Sequence, residues 1–239
     1  EREREREMCH GYAVGPRVCL ELSSEVIQVK WHHKGDYICS VTNQTDSVSK
    51  AVSIHQISKA RSQYPFKKSP GLVQCVSFHP SRPFLFIATQ QFVRVYHLIE
   101  QKQIKKLISG CKWISSLDIH SSGDHVVIGS LDRRLVWFDL DMASTPYKTL
   151  KYHEKALRDV QFHKRCPLLA SASDDGSVHI FHSTVYSDLS KSPLIVPLKI
   201  LTAHGVRGGL GVLQVLFHTK QPWAFSGGAD GVINMYQDL

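Results

Sequence analysis

Short runs in which apolar and polar residues alternate recur along this chain, separated by turn-forming residues. Within residues 157–183, Val160 and Phe162 alternate with polar neighbours, and a mostly apolar run follows at residues 168–173. An Asp-Gly turn at residues 175–176 leads into a third run that holds valine, isoleucine and phenylalanine. Asp-Gly between two such runs favours a tight hairpin, because glycine reaches the positive φ that the turn requires. The stretch therefore predicts three antiparallel strands.

The same pattern occurs five times, and each copy has an inner strand that ends in a bulky residue followed by histidine. The segments are IQVKWH (27–32), VQCVSFH (73–79), ISSLDIH (114–120), LRDVQFH (157–163) and VLQVLFH (212–218). Each third strand carries a bulky residue near its end, at His55, Tyr96, Phe138, Phe181 and Tyr236. A fourth, outer strand is predicted ahead of the fourth segment, at residues 147–151. A period of about 40–45 residues with four strands per unit is typical of WD repeats. The predicted fold is an all-β WD-repeat β-propeller with five repeat units.

The two ends of the chain leave two interpretations of this propeller open. Residues 1–16, which begin ERERERE, are predicted to form a charged, disordered tail, and the propeller is assigned to residues 17–239. Residues 17–22 alternate as a short lone strand, whereas the fifth unit lacks an outer strand. If the five units close into a ring, residues 18–22 pair with the edge of the fifth unit. Otherwise the chain is a fragment or a shortened form of a longer propeller.

In WD repeats, a loop histidine, a strand serine or threonine, a turn aspartate and a third-strand aromatic residue form a hydrogen-bonded chain that clamps one blade. The resemblance assigns these positions to His153, Ser171, Asp175 and Phe181 in the fourth unit, and to His204, Ser226, Asp230 and Tyr236 in the fifth. The third unit keeps Asp132 and Phe138, while the first two units lack the turn aspartate. Phe181 and Tyr236 replace the usual tryptophan. The last hydrogen bond is therefore expected to be lost with Phe181, and with Tyr236 it remains open.

Four stretches resemble one family in particular: residues 78–98, 116–141, 152–183 and 210–236. They are similar to the C-terminal propeller of the block-of-proliferation proteins, which are eukaryotic ribosome-biogenesis factors, and the match covers about residues 17–239. The family's propeller has seven blades and follows a long N-terminal region. The resemblance implies a scaffold of the nucleolus and nucleoplasm that acts in large-subunit ribosomal RNA processing and pre-ribosome assembly. It also implies a second WD-repeat protein and pescadillo as partners, although pescadillo binding is attributed mainly to the N-terminal region.

Composition adds a preference for polyanionic partners. The chain holds 29 Lys and Arg against 21 Asp and Glu, giving a net charge of +8, and such a surplus favours RNA or DNA. Its six cysteines form no Cys-x-x-Cys pair, which suits reduced core residues of a cytosolic or nuclear protein. No apolar run is long enough to span a bilayer, so no membrane partner is expected.

Two groups of basic residues are candidate RNA or partner contacts. Arg133 and Arg134 lie in a predicted hairpin turn, where they either grip phosphates or form a solvated turn. The second group lies close to Tyr64 and Phe66 and comprises Lys59, Arg61, Lys67 and Lys68. Basic and aromatic residues together are compatible with RNA, whereas Pro65 and Phe66 alternatively form a short outer strand.

Three functional hypotheses follow. The first is a non-enzymatic scaffold in ribosome biogenesis, and the second is a WD-repeat substrate receptor of a ubiquitin ligase. The third, an enzyme, is disfavoured because the sequence has no phosphate loop, no Gly-x-Ser-x-Gly and no His-Glu-x-x-His. The five repeated histidines are explained by the fold, so neither a metal nor a cofactor is predicted.

Overall fold

The computed structural model shows a chain built of β-strands. It describes residues 19–22, 24–43, 51–66, 71–186, 193–202 and 204–239. The chain divides into two compact units, residues 1–73 and 74–239. No helix in the described ranges has the length and hydropathy needed to cross a bilayer.

The first unit contains one antiparallel sheet of four strands, joined in sequence order. The strands are β1 (Val26–Trp31), β2 (Tyr37–Thr42), β3 (Val52–Gln56) and β4 (Arg61–Gln63). The short outer strand was predicted at Pro65 and Phe66, but it lies at β4, because Ile54 of β3 pairs with Gln63.

The lone strand predicted at residues 17–22 is not formed by the described residues 19–22, which adopt no strand conformation. This expectation was therefore wrong for those four residues. Residues 17 and 18, and the predicted tail at residues 1–16, lie outside the described part of the chain.

Four further antiparallel sheets follow in the chain, again with sequential strand order. The second sheet comprises β5 (Val73–Phe78), β6 (Phe84–Thr89), β7 (Phe92–His97) and β8 (Lys102–Ile108). The third comprises β9 (Ile114–Ile119), β10 (His125–Ser130), β11 (Leu135–Asp139) and β12 (Lys148–Leu150). The fourth comprises β13 (Leu157–Phe162), β14 (Leu168–Ser173), β15 (Ser177–Thr184) and β16 (Leu194–Thr202). The fifth has three strands, β17 (Val212–Phe217), β18 (Ala224–Gly228) and β19 (Ile233–Tyr236).

These sheets confirm the predicted fold class, an all-β WD-repeat β-propeller with five repeat units. One assignment needs correction. The outer strand predicted at residues 147–151 is β12, which pairs with β11 and therefore completes the third sheet rather than the fourth. The sequence repeat starts with this outer strand, whereas the sheet ends with it, so repeat and sheet are offset by one strand.

Apolar side chains fill the junctions between successive sheets of residues 74–239. The Trp137 ring of the third sheet meets the Phe162 ring of the fourth edge-on, with centroids 5.4 Å apart. Val178 and Ile180 of the fourth sheet pack in one cluster with Val215 of the fifth. A similar cluster joins the second sheet to the third. Each fully buried side chain of this size contributes about 1.5–3 kcal/mol, so these junctions dominate the stability of the unit.

Polar side chains of one inner strand also bind the backbone of the next. Asp118 Oδ2 accepts a hydrogen bond from the Phe162 backbone N–H at 2.8 Å. One junction further on, Gln161 Oε1 accepts from the Phe217 N–H at 2.7 Å. Because buried N–H groups are costly to leave unpaired, these contacts fix the register between neighbouring inner strands.

The repeated histidines organise the turn after each inner strand. His163 Nδ1 accepts the backbone N–H groups of Arg165 (3.0 Å) and Cys166 (2.8 Å). Its Nε2 lies 2.9 Å from the Gln221 carbonyl oxygen in the fifth unit. The same Nδ1 contact to the following turn is made by His32, His79, His120 and His218. The histidine recurs in each repeat because its ring stabilises the turn that follows the inner strand.

Candidate functional site

The strands of the fourth unit are linked by a chain of hydrogen bonds between the loop before β13, strand β14 and the turn before β15. His153 Nε2 lies 2.7 Å from Ser171 Oγ, and His153 Nδ1 lies 2.9 Å from Asp175 Oδ2. Asp175 also accepts from Ser177 N–H at 2.9 Å and from Ser177 Oγ at 2.6 Å. The Phe181 ring is buried but has no polar atom, so the series of hydrogen bonds ends at Ser171.

Burial governs the protonation of this group. Burial lowers the pKa of His153 and lowers that of His179 to about 4, and the two rings lie 3.8 Å apart. Burial alone would raise the pKa of Asp175, but hydrogen bonds from Ser177 and His153 outweigh it and hold that pKa at about 2. At neutral pH the group therefore holds neutral imidazoles against an ionised carboxylate.

The fifth unit carries a longer version of the same chain. His204 Nε2 lies 2.7 Å from Ser226 Oγ, and His204 Nδ1 lies 3.1 Å from Asp230 Oδ1. The Tyr236 hydroxyl lies 3.0 Å from Ser226 Oγ, so the bond that the sequence left open is formed in the structure. Asn234 Nδ2 donates to His204 Nε2 at 3.1 Å. Burial alone would raise the pKa of Asp230, but hydrogen bonds from the Val232 backbone and from His204 hold it at about 2.

The third unit arranges its predicted residues differently. Asp132 accepts a hydrogen bond from Ser130 Oγ and forms an ion pair with Arg134 Nε at 3.0 Å. Phe138 lies in the apolar cluster shared with the second sheet. Phe138 therefore occupies the predicted aromatic position and contributes apolar packing there.

The first unit contains a polar chain that sequence reasoning missed. His55 Nε2 lies 2.8 Å from Ser40 Oγ, and His55 Nδ1 lies 2.8 Å from Ser62 Oγ. His55 stands at the third-strand position that aromatic residues occupy elsewhere, and this substitution of histidine was the available signal. The histidine thus comes from strand β3 instead of from a loop.

Cations are concentrated on the loops that hold these clamps in the third and fourth units. This loop face is defined by four exposed basic residues, Lys112, Arg133, Lys151 and Lys155. Arg134 Nη1 donates to the Gly110 carbonyl at 3.0 Å, which ties the turn before β11 to the loop that carries Lys112. Arg133 reaches towards the Glu154 carbonyl of the next loop, at 3.5 Å. The two predicted arginines therefore differ in role. Arg133 is exposed, whereas Arg134 binds the Gly110 carbonyl and Asp132 within the protein.

Two exposed aromatic rings lie among these cations. Trp113 is 41% exposed and its Nε1 donates to Gln74 Oε1 at 3.0 Å, while Tyr152 is 46% exposed. The nearby carboxylates are mostly used internally, since Arg158 binds Asp174 with its Nε 2.8 Å from Oδ2. Only Glu154 remains an exposed carboxylate among the described residues 107–113, 131–134 and 151–158. Cations next to stackable rings match the two requirements of a single-stranded nucleic-acid surface.

The second predicted basic group lies in the first unit. Lys59 is exposed in the turn before β4, and Arg61 is exposed at the start of that strand. Lys67 and Lys68 lie outside the described residues. Of this group the structure therefore describes only Lys59 and Arg61, which lie side by side at the outer strand of the first sheet.

Among the residues whose placement is described, no group of three or more His, Cys, Asp or Glu side chains is arranged to hold a metal ion. Within each polar cluster described above, the side chains form hydrogen bonds to one another. Their chemistry is that of buried structural networks.

Comparison with known proteins places these features in a family. A model of the family "WD domain, G-beta repeat" matches residues 101–139, 144–182 and 195–237. The chain is 57% identical over 226 residues to "Ribosome biogenesis protein bop1" of Danio rerio, covering 95% of this chain and 29% of the relative. It is 54% identical over 213 residues to "Ribosome biogenesis protein erb1" of Schizosaccharomyces pombe, covering 89% of this chain and 28% of the relative.

These relatives confirm the resemblance inferred from the repeat stretches, and they give no support to a ubiquitin-ligase receptor. The chain spans less than a third of the length of the curated relatives it matches. The chain belongs to the WD domain, G-beta repeat family and, within it, is similar over most of its length to the BOP1/Erb1 ribosome biogenesis proteins.

Proposed function

We propose that this chain is a non-enzymatic scaffold in ribosome biogenesis, acting in large-subunit ribosomal RNA processing and pre-ribosome assembly. The observation that carries the proposal is the sequence identity of 50% to 57% to relatives named ribosome biogenesis proteins. The buried polar groups support a scaffold, because their hydrogen bonds are directed at one another. Such a scaffold works in the nucleolus and nucleoplasm.

The proposed RNA contact is the loop face with Lys112, Arg133, Lys151 and Lys155. Its exposed cations suit phosphates, and Trp113 and Tyr152 offer rings on which unpaired bases stack. The proposed protein partner is a second WD-repeat protein, as the family resemblance implies. Pescadillo is the second proposed partner, and the family resemblance attributes its binding mainly to the N-terminal region.

An RNA-binding measurement tests the loop face. We expect the double variant Lys112→Glu/Lys155→Glu to weaken binding of a single-stranded large-subunit pre-rRNA fragment, measured by fluorescence anisotropy across a salt series. Each phosphate contact contributes about 0.7 to the slope of log affinity against log salt for a single strand. Loss of two contacts should therefore lower that slope by about 1.4.

The control is Lys164→Glu/Arg165→Glu, which makes the same change in net charge. These exposed residues lie in the turn between β13 and β14, at the other end of the strands from the loop face. The control should leave the salt slope close to that of the unmodified chain. Equal weakening by both variants would show that net charge alone attracts RNA, and would reject the loop face as the site.

A further inference from the structure

The loop between β16 and β17 ends in a small hairpin, and we call residues 204–211 the tip loop. The Arg207 backbone N–H donates to the Leu210 carbonyl at 2.9 Å, and the Leu210 N–H donates back to the Arg207 carbonyl at 3.0 Å. Between them, Gly208 and Gly209 have φ of 59° and 82°. Glycine adopts this left-handed conformation without strain, and a two-residue hairpin turn requires it. The tip loop is therefore ordered by its own backbone.

Both ends of the tip loop are anchored to neighbouring turns. The Gly211 N–H donates to Asp174 Oδ1 at 3.3 Å, and the Gly211 carbonyl accepts from the Ala229 N–H at 2.8 Å. The Gly205 N–H donates to Asp230 Oδ2 at 3.0 Å. These partners lie in the hairpin turns of the fourth and fifth units. Contacts within residues 174–230 therefore set the position of the tip loop.

The Arg207 side chain points away from the protein. Val206 packs on the turn of the fourth unit, because a Cβ placed on Gly176 would lie 3.4 Å from Val206 Cγ2. Neighbouring residues of an extended segment point to opposite sides, so Arg207 is directed away from that turn. Arg207 is exposed accordingly. Leu210, which is 36% exposed, pairs with Arg207 and lies on the same side of the hairpin.

The carboxylates that anchor the tip loop already have partners of their own. Asp174 Oδ2 lies 2.6 Å from a terminal guanidinium nitrogen of Arg158. Asp230 Oδ1 lies 3.1 Å from His204 Nδ1. Neither carboxylate is therefore left to neutralise Arg207, whose guanidinium is presented to the solvent.

The tip loop lies next to the loop face. The Glu154 N–H donates to Asp175 Oδ2 at 3.2 Å, which ties the loop that carries Lys155 to the turn at residues 174–176. The tip loop binds the same turn through Asp174. One turn thus holds both loops, and Arg207 continues the cations of the loop face towards the fifth unit.

We propose that the tip loop is a further contact of the RNA site, where Arg207 binds a phosphate of the same single strand that lies on the loop face. This inference rests on the RNA contact proposed above. A guanidinium matches two phosphate oxygens at once, and Arg-Gly-Gly segments occur in proteins that bind single-stranded nucleic acids. Here the two glycines build an ordered turn, so less conformational entropy is lost on binding. Leu210 offers an apolar contact to the adjoining base or sugar.

Fluorescence anisotropy with the same pre-rRNA fragment across a salt series tests this contact. We expect Arg207→Gln to lower the slope of log affinity against log salt by about 0.7, the contribution of one phosphate contact on a single strand. Arg207→Lys should keep the slope, because it keeps the charge. The matched control is Arg165→Gln, which removes an exposed arginine from the turn between β13 and β14, at the other end of the strands. The control should leave the slope unchanged.

The outcomes separate this inference from the function on which it rests. If Lys112→Glu/Lys155→Glu lowers the slope and Arg207→Gln does not, RNA binds the loop face without the tip loop, and this inference alone fails. If neither variant changes the slope, the loop face fails as well. A slope that falls only with Arg207→Gln would contradict a strand shared by the two loops, and equal losses in Arg207→Gln and Arg165→Gln would reduce the effect to net charge. Thermal melts by circular dichroism verify that each variant keeps its fold.

Discussion

At the scale of single residues, the clamps of the fourth and fifth units differ at the aromatic position. In the fifth unit, the Tyr236 hydroxyl continues the series of hydrogen bonds beyond Ser226. In the fourth unit, the buried Phe181 contributes packing alone. The hydroxyl is therefore a small polar addition at the aromatic position of the fifth unit. A net hydrogen bond of this type contributes about 0.5–1.5 kcal/mol.

A double-mutant cycle measures that addition. We expect Tyr236→Phe to lower the free energy of unfolding by about 1 kcal/mol, and Ser226→Ala by about 1–3 kcal/mol because it also strips His204 of a partner. Urea unfolding of the two single variants and the double variant gives the coupling. We expect about 0.5–1 kcal/mol of coupling. Strictly additive effects would show that the hydroxyl bond contributes nothing in solution.

A second residue-scale prediction concerns acid sensitivity. Burial lowers the pKa of His179 to about 4, from an ordinary value of 6.5. Between those two pH values the unfolded chain binds the proton and the folded chain does not, so stability is complete above about pH 6.5 and falls as pH decreases towards 4. The lowered pKa of Asp175 acts in the same direction at lower pH, where the unfolded carboxyl takes up a proton first.

Replacement of His179 by asparagine should flatten this dependence. Asn234 occupies the equivalent position of the fifth unit, so the side chain is compatible with a clamp of this geometry. We expect the loss of unfolding free energy between pH 7.5 and pH 5 to shrink by about 2 kcal/mol in His179→Asn. Urea unfolding at the two pH values measures it. An unchanged pH dependence would mean that His179 titrates normally in the folded chain.

At the scale of structural elements, the hairpin turns of three units share one conformation but not one sequence. Gly176 and Gly231 have φ of 85° and 82°, and the equivalent residue of the third unit is Arg133, with φ of 66°. A residue with a side chain is disfavoured in this left-handed region by about 1–2 kcal/mol. The third unit therefore carries local backbone strain at Arg133, the arginine of the loop face.

We expect Arg133→Gly to raise the free energy of unfolding by about 1 kcal/mol while weakening RNA binding. Arg133→Asn is the companion variant, because asparagine tolerates positive φ better than arginine but removes the same charge. Both variants should lose similar RNA affinity, and glycine should stabilise more. Thermal unfolding and anisotropy measure the two effects. If Arg133→Gly destabilises the chain, the arginine side chain contributes more to the turn than the strain removes.

The strands themselves were largely predictable, and the exceptions have physical reasons. The second strand of the fourth unit, at residues 168–173, was located to the residue, because its apolar run is long and bounded by turns. The outer strands were harder, since β4 and β12 have three residues each and little apolar periodicity. A short, exposed strand is defined by its pairing with a neighbour, which a single sequence does not display.

At the scale of the whole molecule, the residues of the candidate site were only partly predictable. The clamp residues share a motif, whereas the loop face is assembled from separate turns. Lys112 and Lys155 gave no signal in sequence, because Lys112 stands alone in its loop and Lys155 shares its loop only with Lys151. Their proximity depends on contacts such as that between Arg134 and the Gly110 carbonyl. Net charge of +8 predicted a polyanionic partner but carried no information about location.

The contacts between inner strands have an evolutionary consequence. At two successive junctions, a side chain of one unit receives a backbone N–H of the next, from Phe162 and from Phe217. A backbone donor is supplied by every amino acid except proline, so the receiving unit can change its side chains without losing this contact. This contact between units therefore does not depend on the identity of the residue that donates it. Sequence divergence in the receiving strand therefore leaves this contact in place as long as the neighbouring acceptor side chain is kept.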